Sequence, residues 1–220
     1  MAPRCFLLAL LLMGGIIAAD IARAESSSVL ELIAQWKVAC DTGNAKTCGV
    51  LGCTYQKGTD VKQDYFQAVS YYRQACQGGF AKSCSFLGGM YDNGEGVKQD
   101  FSQAANLYRQ ACAGGDALGC SHLGWMYDTS RGVSQDDLQA ADLYRQACAG
   151  GEATGCNNLG VMYKHGQGMS QSDTDALMYI AKACDLQLEE GCVAYAELKR
   201  ITSNHAEERA DRGPGARVRE

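Results

Sequence analysis

Apolar and small residues recur at helical spacing along the chain, and the whole pattern repeats every 36 residues. In one copy, the residues spaced three or four apart are Cys84, Leu87, Gly88 and Tyr91. Such spacing places them on one face of a helix. After a break that contains two glycines, a second stripe of the same kind follows within residues 104–111. Each copy therefore predicts two helices.

The ends of the second helix are marked in the sequence. An aspartate is followed three residues later by a glutamine at each predicted start, which is typical of helix capping. These pairs are Asp64/Gln67, Asp100/Gln103 and Asp136/Gln139. The double glycine at 114–115 predicts the end of the helix, because glycine adopts left-handed backbone conformations at little cost. The chain then reverses, and the two flanking helices are expected to be antiparallel.

Ten cysteines form five pairs, in which the two members are eight positions apart with a spacer of seven residues, and successive pairs are 36 positions apart. One cysteine ends a helix and the other lies in the first turns of the next, so the reversal can bring them within disulfide distance. The predicted bonds are Cys40–Cys48, Cys76–Cys84, Cys112–Cys120, Cys148–Cys156 and Cys184–Cys192. Structural zinc sites prefer spacers of about two to four residues, so we predict disulfides and no metal.

The first residues are typical of a secretory signal peptide, with Arg4, an apolar stretch at 6–19 and a small-x-small site ending at Ala24. We therefore expect a signal peptide over 1–24, a helical domain over 25–204 and a disordered tail over 205–220. The protein is expected to be exported, either to the periplasm or outside the cell, and to leave no membrane segment after cleavage.

Cleavage at this site would also remove Cys5 and leave Cys53 without a partner, since every other cysteine belongs to a pair. Two interpretations of Cys53 stay open. It is a free thiol partly hidden between helices, or it forms an intermolecular disulfide or a redox-sensitive site.

Charge and motifs exclude several functions. The net charge of −5 does not favour nucleic acid as a partner. The chain has three histidines without a cluster, and it lacks the Ser-x-x-Lys, Gly-x-Ser-x-Gly and P-loop motifs. No cofactor is predicted.

The segment "AKSCSFLGGMYDNGEGVKQDFSQAANLYRQACAGG" at 81–115 resembles a Sel1-like repeat, a relative of the tetratricopeptide repeat. The cysteine pair in each copy is similar to that of secreted cysteine-rich proteins from Helicobacter and related bacteria. The resemblance implies an all-α, right-handed α-solenoid of about five disulfide-stapled αα-hairpins. The repeats are placed at 44–79, 80–115, 116–151 and 152–187, with helical caps at both ends.

The same resemblance implies two functions. One is a binding or scaffold module for a protein or peptide, including envelope or host-surface partners. The alternative is a penicillin-binding protein with weak β-lactamase activity, which would act on a β-lactam or peptidoglycan-like ligand. Because catalytic motifs are lacking, whether the chain is an enzyme stays open, and we favour the binding module.

The residues that change between copies mark the expected binding surface, because repeated residues are used for packing. In the first helix of each unit, these variable positions fall on one stripe, and the resemblance places that stripe in the concave groove. The candidate groove residues are Lys82, Phe86, His122, Trp125, Asn158 and Val161. Packing between repeats is the other interpretation of Phe86 and Trp125. His122 is interpreted as a groove residue, since no catalytic partner is identified beside it.

Overall fold

The computed structural model describes residues 17–58 and 60–211, with side chains described for 29–58 and 60–204. Within these ranges the chain forms ten α-helices and no strand, which confirms the all-α prediction. The helices are α1 (Ile17–Asp41), α2 (Ala45–Lys57), α3 (Tyr65–Gln77), α4 (Ala81–Asn93), α5 (Phe101–Ala113), α6 (Ala117–Asp128), α7 (Asp137–Ala149), α8 (Ala153–His165), α9 (Asp173–Asp185) and α10 (Glu189–Asp211).

The helices stack in chain order as a solenoid, each packing mainly against the helices before and after it. We call α2, α4, α6 and α8 the first helices, and α3, α5, α7 and α9 the second helices. α4 contacts α6 and α6 contacts α8 more extensively than any two successive second helices contact each other, among the described residues. The first helices therefore lie on the inner, concave side, which we call the groove.

The repeated Leu-Gly pair is explained by the core of each unit. The Tyr108 ring is buried against Gly88, where an added Cβ atom would lie 2.9 Å from the ring carbons. An added Cβ atom at Gly124 would likewise lie 2.9 Å from the nearest ring carbon of Tyr144. A side chain at either glycine would push the tyrosine out of the core, so the first and second helices of a unit approach closely only because glycine is present.

The helix ends follow the predicted signals with one difference. The Asp100 carboxylate accepts a hydrogen bond from the Gln103 amide at 3.0 Å, and Asp64 and Asp136 cap their helices in the same way. The reciprocal bond of a capping box does not form at Asp100, because its backbone amide donates instead to the Tyr91 carbonyl at 2.9 Å. At the other end of α5, Gly115 is the glycine with left-handed backbone, at φ +86°, whereas Gly114 has φ −81°.

Five disulfide bonds close the helix reversals at the five predicted cysteine pairs, with Cα–Cα distances between 4.4 and 4.9 Å. These distances are slightly shorter than the usual 5–6 Å but within the accepted range. Each bond joins a helix to the next along the chain, for example α3 to α4 and α5 to α6. Disulfide-stapled helical hairpins are therefore confirmed.

Among the described cysteines, Cys53 forms no disulfide and is partly buried. It packs against the hydrophobic cluster that contains Tyr72, on the groove side of α2. Both interpretations of its thiol stay predictions. Cys5 lies outside the described residues.

Helices α1 and α10 extend to both ends of the described part of the chain. Helix α1 begins at Ile17 and continues through the predicted cleavage position, and the rest of the predicted signal peptide lies outside the described residues. Helix α10 continues to Asp211, into the segment predicted as a disordered tail over 205–220. Residues 206–210 read Ala-Glu-Glu-Arg-Ala, and all of these residue types favour helix. Residues 212–220 lie outside the described residues.

Candidate functional site

A pocket of about 330 Å³ opens in the groove between α6 and α8. Helix α6 contributes Leu118, Ser121, His122 and Trp125. The remaining lining residues are Asp92 from α4, Glu152 at the N-cap of α8, and Thr154 and Asn158 on α8. We call this the α6–α8 pocket. It combines an aromatic wall with polar side chains of several kinds, which is the usual make-up of a ligand site.

The aromatic wall is fixed by the cores of two neighbouring units. The His122 imidazole stacks on the buried Tyr108 ring, with 4.8 Å between ring centroids. Trp125 is partly buried and packs against the clusters around both Tyr108 and Tyr144. The two rings are therefore held in place before any ligand arrives, which lowers the entropy cost of binding.

Arg131, in the loop after α6, packs against the Trp125 ring. Its guanidinium lies 4.2 Å from the Phe101 ring centroid and 5.0 Å from that of Trp125. Its Nε atom is 3.1 Å from the Asp92 carboxylate on α4. Arginine on an aromatic face with a carboxylate partner is a favourable arrangement. The interaction ties two successive first helices together beside the pocket.

The α6–α8 pocket opens where a hydrogen bond that is present one unit earlier is missing. In the earlier unit the Ser85 hydroxyl donates to the Asp116 carboxylate, and Asp116 caps α6 through the Gly119 amide. Ser121 and Glu152 occupy the equivalent positions 36 residues later. There the longer Glu152 side chain accepts from the Thr154 amide at 3.4 Å. No hydrogen bond joins Ser121 to Glu152 in the part of the chain that the structure describes, and both residues line the pocket.

Burial lowers the pKa of His122 below its usual range, although the nearby carboxylates of Asp92, Glu152 and Asp116 act in the opposite direction. The imidazole is therefore neutral at pH 7. A neutral ring can stack and accept a hydrogen bond without adding positive charge to the pocket.

The depressed pKa of His122 predicts how stability depends on pH. The unfolded chain binds the proton more readily than the folded one, so His122 makes folding less favourable as the pH falls from about 7 to 5. The free energy of unfolding of the wild type should therefore decrease, relative to His122→Gln, over this interval. Paired denaturant titrations at several pH values would measure this. The exposed His165 at the end of α8, replaced in His165→Gln, is the control. A wild-type advantage that grows on acidification would contradict the prediction.

Three of the six candidate groove residues, His122, Trp125 and Asn158, line the α6–α8 pocket, and the other three lie outside it. The Phe86 ring packs on the buried Tyr72 ring, with centroids 5.3 Å apart, and the Lys82 ammonium lies 6.0 Å from the Phe86 centroid. Val161 is partly buried on α8. Phe86 thus packs on the neighbouring unit, and its part in binding stays a prediction.

Sequence reasoning missed four residues at this site: Asp92, Ser121, Arg131 and Glu152. Glu152 caps α8, and an acidic residue at the start of a helix is typical of capping, so the sequence alone gives no reason to place it in a site. Arg131 could have been noticed in the sequence, because its loop segment lacks the first glycine that the other copies have. Its aromatic and acidic partners come from other segments and cannot be read from the loop alone.

Three larger notches lie along one edge of the solenoid, with volumes of about 560, 350 and 390 Å³. Each is lined by the same Gln-Asp turn, at 63–64, 99–100 and 135–136. Because they recur with the repeat, they follow from how successive units pack. The α6–α8 pocket differs, since its lining residues change between copies.

The pocket does not assemble a recognisable catalytic group. Ser121 and His122 are adjacent on α6, so their side chains point about 100° apart. No hydrogen bond between them is found among the described residues, and serine needs a hydrogen-bonded base to act as a nucleophile. Within the same residues, no three side chains are arranged to hold a metal ion.

The repeat is shared with known proteins. The Sel1 repeat model matches four consecutive segments, at residues 48–80, 81–116, 117–152 and 153–188. The chain belongs to the Sel1 repeat family. Comparison with curated proteins gives no match.

Solved structures of Sel1 repeat proteins share this fold. A protective antigen of uropathogenic Escherichia coli with an SLR fold is 31% identical, with a TM-score of 0.69 over 73% of this chain and 34% of its own. A Sel1 repeat protein from Oxalobacter formigenes is 26% identical, with a TM-score of 0.66 over 70% of this chain and 61% of its own. Cysteine-rich protein B from Helicobacter pylori is 27% identical, with a TM-score of 0.50 over 61% of this chain and 96% of its own. The chain spans less than two thirds of the first two proteins.

The disulfide bonds in the Sel1 repeats of this chain indicate an oxidising compartment. Disulfides persist outside the reducing cytosol, and the structure contains five of them. Together with the similarity to the Helicobacter cysteine-rich protein, this indicates an exported protein. None of the described helices has the length and apolar character that crossing a membrane requires.

Proposed function

We propose that this chain is an exported binding module that recognises a peptide or an extended segment of a protein in its groove, with the α6–α8 pocket at the centre. The observation that carries the proposal is the pocket itself. It lies on the face where the copies differ, and it places a fixed Trp125 ring beside polar groups that have few partners of their own. Aromatic anchors next to orienting polar groups are typical of recognition sites.

The groove suits an extended ligand. Each unit adds one first helix, so side chains that face the groove recur along the solenoid axis and can contact successive residues of a peptide. One unit earlier, Ser85 and Asp116 are bonded to each other, whereas Ser121 and Glu152 make no such bond among the described residues and line the pocket. One pocket within a longer groove would fix the register of the ligand.

We further propose that the protein works in the periplasm or outside the cell, with an envelope or host-surface protein as partner. The disulfides support this placement. Similarity to a protective antigen of a pathogenic bacterium is consistent with exposure at the cell surface.

The test is selection of displayed random nonapeptides on the purified, oxidised protein. Thr154 is exposed at the edge of the pocket, so Thr154→Trp should fill the pocket without disturbing the core. Selected peptides should bind this variant at least about tenfold more weakly than the wild type. Asn106→Trp, at an exposed position of the second helix α5, is the matched control and should bind normally. Equal loss in both variants, or in neither, would count against the groove.

A further inference from the structure

The α6–α8 pocket contains a carboxylate without a countercharge. Two ion pairs are found among the described residues, Asp92–Arg131 and Asp142–Arg145, and Glu152 belongs to neither. Glu152 is held by the Thr154 amide at 3.4 Å, which leaves most of its hydrogen-bonding capacity free. The Glu152 carboxylate has few partners within the protein, so it is available to a ligand in the pocket.

Ser121 supplies a second free group. The residue is only 4% exposed, and it lines the pocket. The equivalent Ser85 hydroxyl is bonded to a carboxylate, whereas no partner of the Ser121 hydroxyl is found within the described part of the chain. Because Ser121 lines the pocket and its hydroxyl has no partner among the described residues, the group is available to donate a hydrogen bond to a ligand or to accept one from it.

The electrostatic field in the pocket is negative. The carboxylates of Asp92, Asp116 and Glu152 all lie near enough to His122 to act on its charge, and Arg131 neutralises Asp92. His122 adds no positive charge at pH 7, because burial lowers its pKa. The pocket therefore attracts a cation and repels a carboxylate, which includes the carboxylate that penicillins carry.

The aromatic wall of the α6–α8 pocket favours a planar cation. The Arg131 guanidinium already lies 5.0 Å from the Trp125 ring centroid and 4.2 Å from that of Phe101. The chain thus shows that Trp125 accepts a guanidinium beside a carboxylate. The planar group has five N–H donors and stacks on aromatic rings, which an ammonium group does less well.

We propose that the α6–α8 pocket binds the guanidinium group of an arginine side chain from the peptide partner. The guanidinium donates to the Glu152 carboxylate and the Ser121 hydroxyl oxygen, and its flat face packs against Trp125. The Asn158 amide oxygen, on the opposite wall, accepts a further hydrogen bond. This inference rests on the proposed binding function and names the partner's chemistry.

The test uses the peptides selected on the wild-type protein. We expect them to share an arginine at one fixed position. Replacing it with citrulline, which has nearly the same shape and no charge, should weaken binding at least about tenfold. Replacing it with lysine should weaken binding less than citrulline does. Glu152→Gln should give a similar loss for the arginine peptide and no loss for the citrulline peptide. Glu190→Gln, on the exposed start of α10, changes the same charge away from the pocket and should have no effect.

The outcomes separate this inference from the proposed function. Peptides that lack arginine, bind equally to Glu152→Gln and still lose affinity on Thr154→Trp would overturn the arginine assignment and leave the groove function intact. A lysine peptide that binds as tightly as the arginine peptide would overturn the guanidinium specificity. Peptides that are insensitive to Thr154→Trp, or a selection that yields no binder, would contradict both proposals.

Discussion

Reduction of the five disulfide bonds is expected to unfold most of the solenoid at 37 °C. Each bond closes a loop of about nine residues, which is worth up to about 2.5 kcal/mol in the chain-entropy model. Together the bonds supply up to about 12 kcal/mol, which is comparable with the whole free energy of unfolding of a typical domain. Thermal melts followed by circular dichroism, with and without reductant, should differ in midpoint by at least about 20 °C. A difference under about 5 °C would show that packing alone carries the fold.

Loss of a single disulfide bond should destabilise mainly the helices that it joins. Replacing Cys112 and Cys120 together by serine should cost about 2–3 kcal/mol and lower the hydrogen-exchange protection of α5 and α6. The same change at Cys184 and Cys192 should affect α9 and α10 and leave the central helices protected, because the units of a solenoid couple mainly to their neighbours. Loss of protection along the whole chain in both variants would show that the array unfolds as one unit.

The fold could be predicted from the sequence because its signals are local and repeated. The aspartates that begin the second helices, the glycines that end them and the paired cysteines all lie within one 36-residue unit. Asp100 caps α5 and Cys112 bonds Cys120 as expected. The role of Gly88 was harder to see. The pattern placed it on the packing face, but only the structure shows that the Tyr108 ring fills the space of its missing side chain.

The candidate site could be predicted in part, for a physical reason. His122 and Trp125 lie on one helix stripe, so helical geometry alone places them together. Arg131 and Asp92 belong to different units, and their contact depends on how far the solenoid curves between α4 and α6. Ser85 and Asp116 also come from different helices and bond to each other, whereas Glu152, one methylene longer than aspartate, bonds the Thr154 amide instead. Such contacts between units are invisible to a pattern that treats each copy separately.

Trp125→Ala is expected to abolish most ligand binding while leaving the protein folded. The ring forms a wall of the α6–α8 pocket and is only partly buried in the cores on either side. Central aromatic anchors of an interface commonly carry about 2 kcal/mol or more, so the affinity for a selected peptide should fall at least about 30-fold. The cost in stability should stay under the roughly 3–5 kcal/mol typical of a fully buried aromatic residue, at about 1–2 kcal/mol. Titration of binding and denaturant unfolding on the same sample would measure both quantities.

Phe86→Ala gives the contrasting case that makes this result decisive. Phe86 is also an aromatic residue on the groove side of a first helix, but its ring packs on Tyr72 and lies outside the pocket. Its removal should lower stability by about 1–2 kcal/mol, with little change in affinity. Two partly buried aromatic residues with similar costs in folding would then differ only in binding. If Trp125→Ala lowered stability by about 3 kcal/mol or more and binding followed the loss of folded protein, Trp125 would be a packing residue like Phe86. In Trp125→Phe, recovery of stability without recovery of affinity would show that the indole ring binds the ligand. Recovery of both stability and affinity would not distinguish packing from binding.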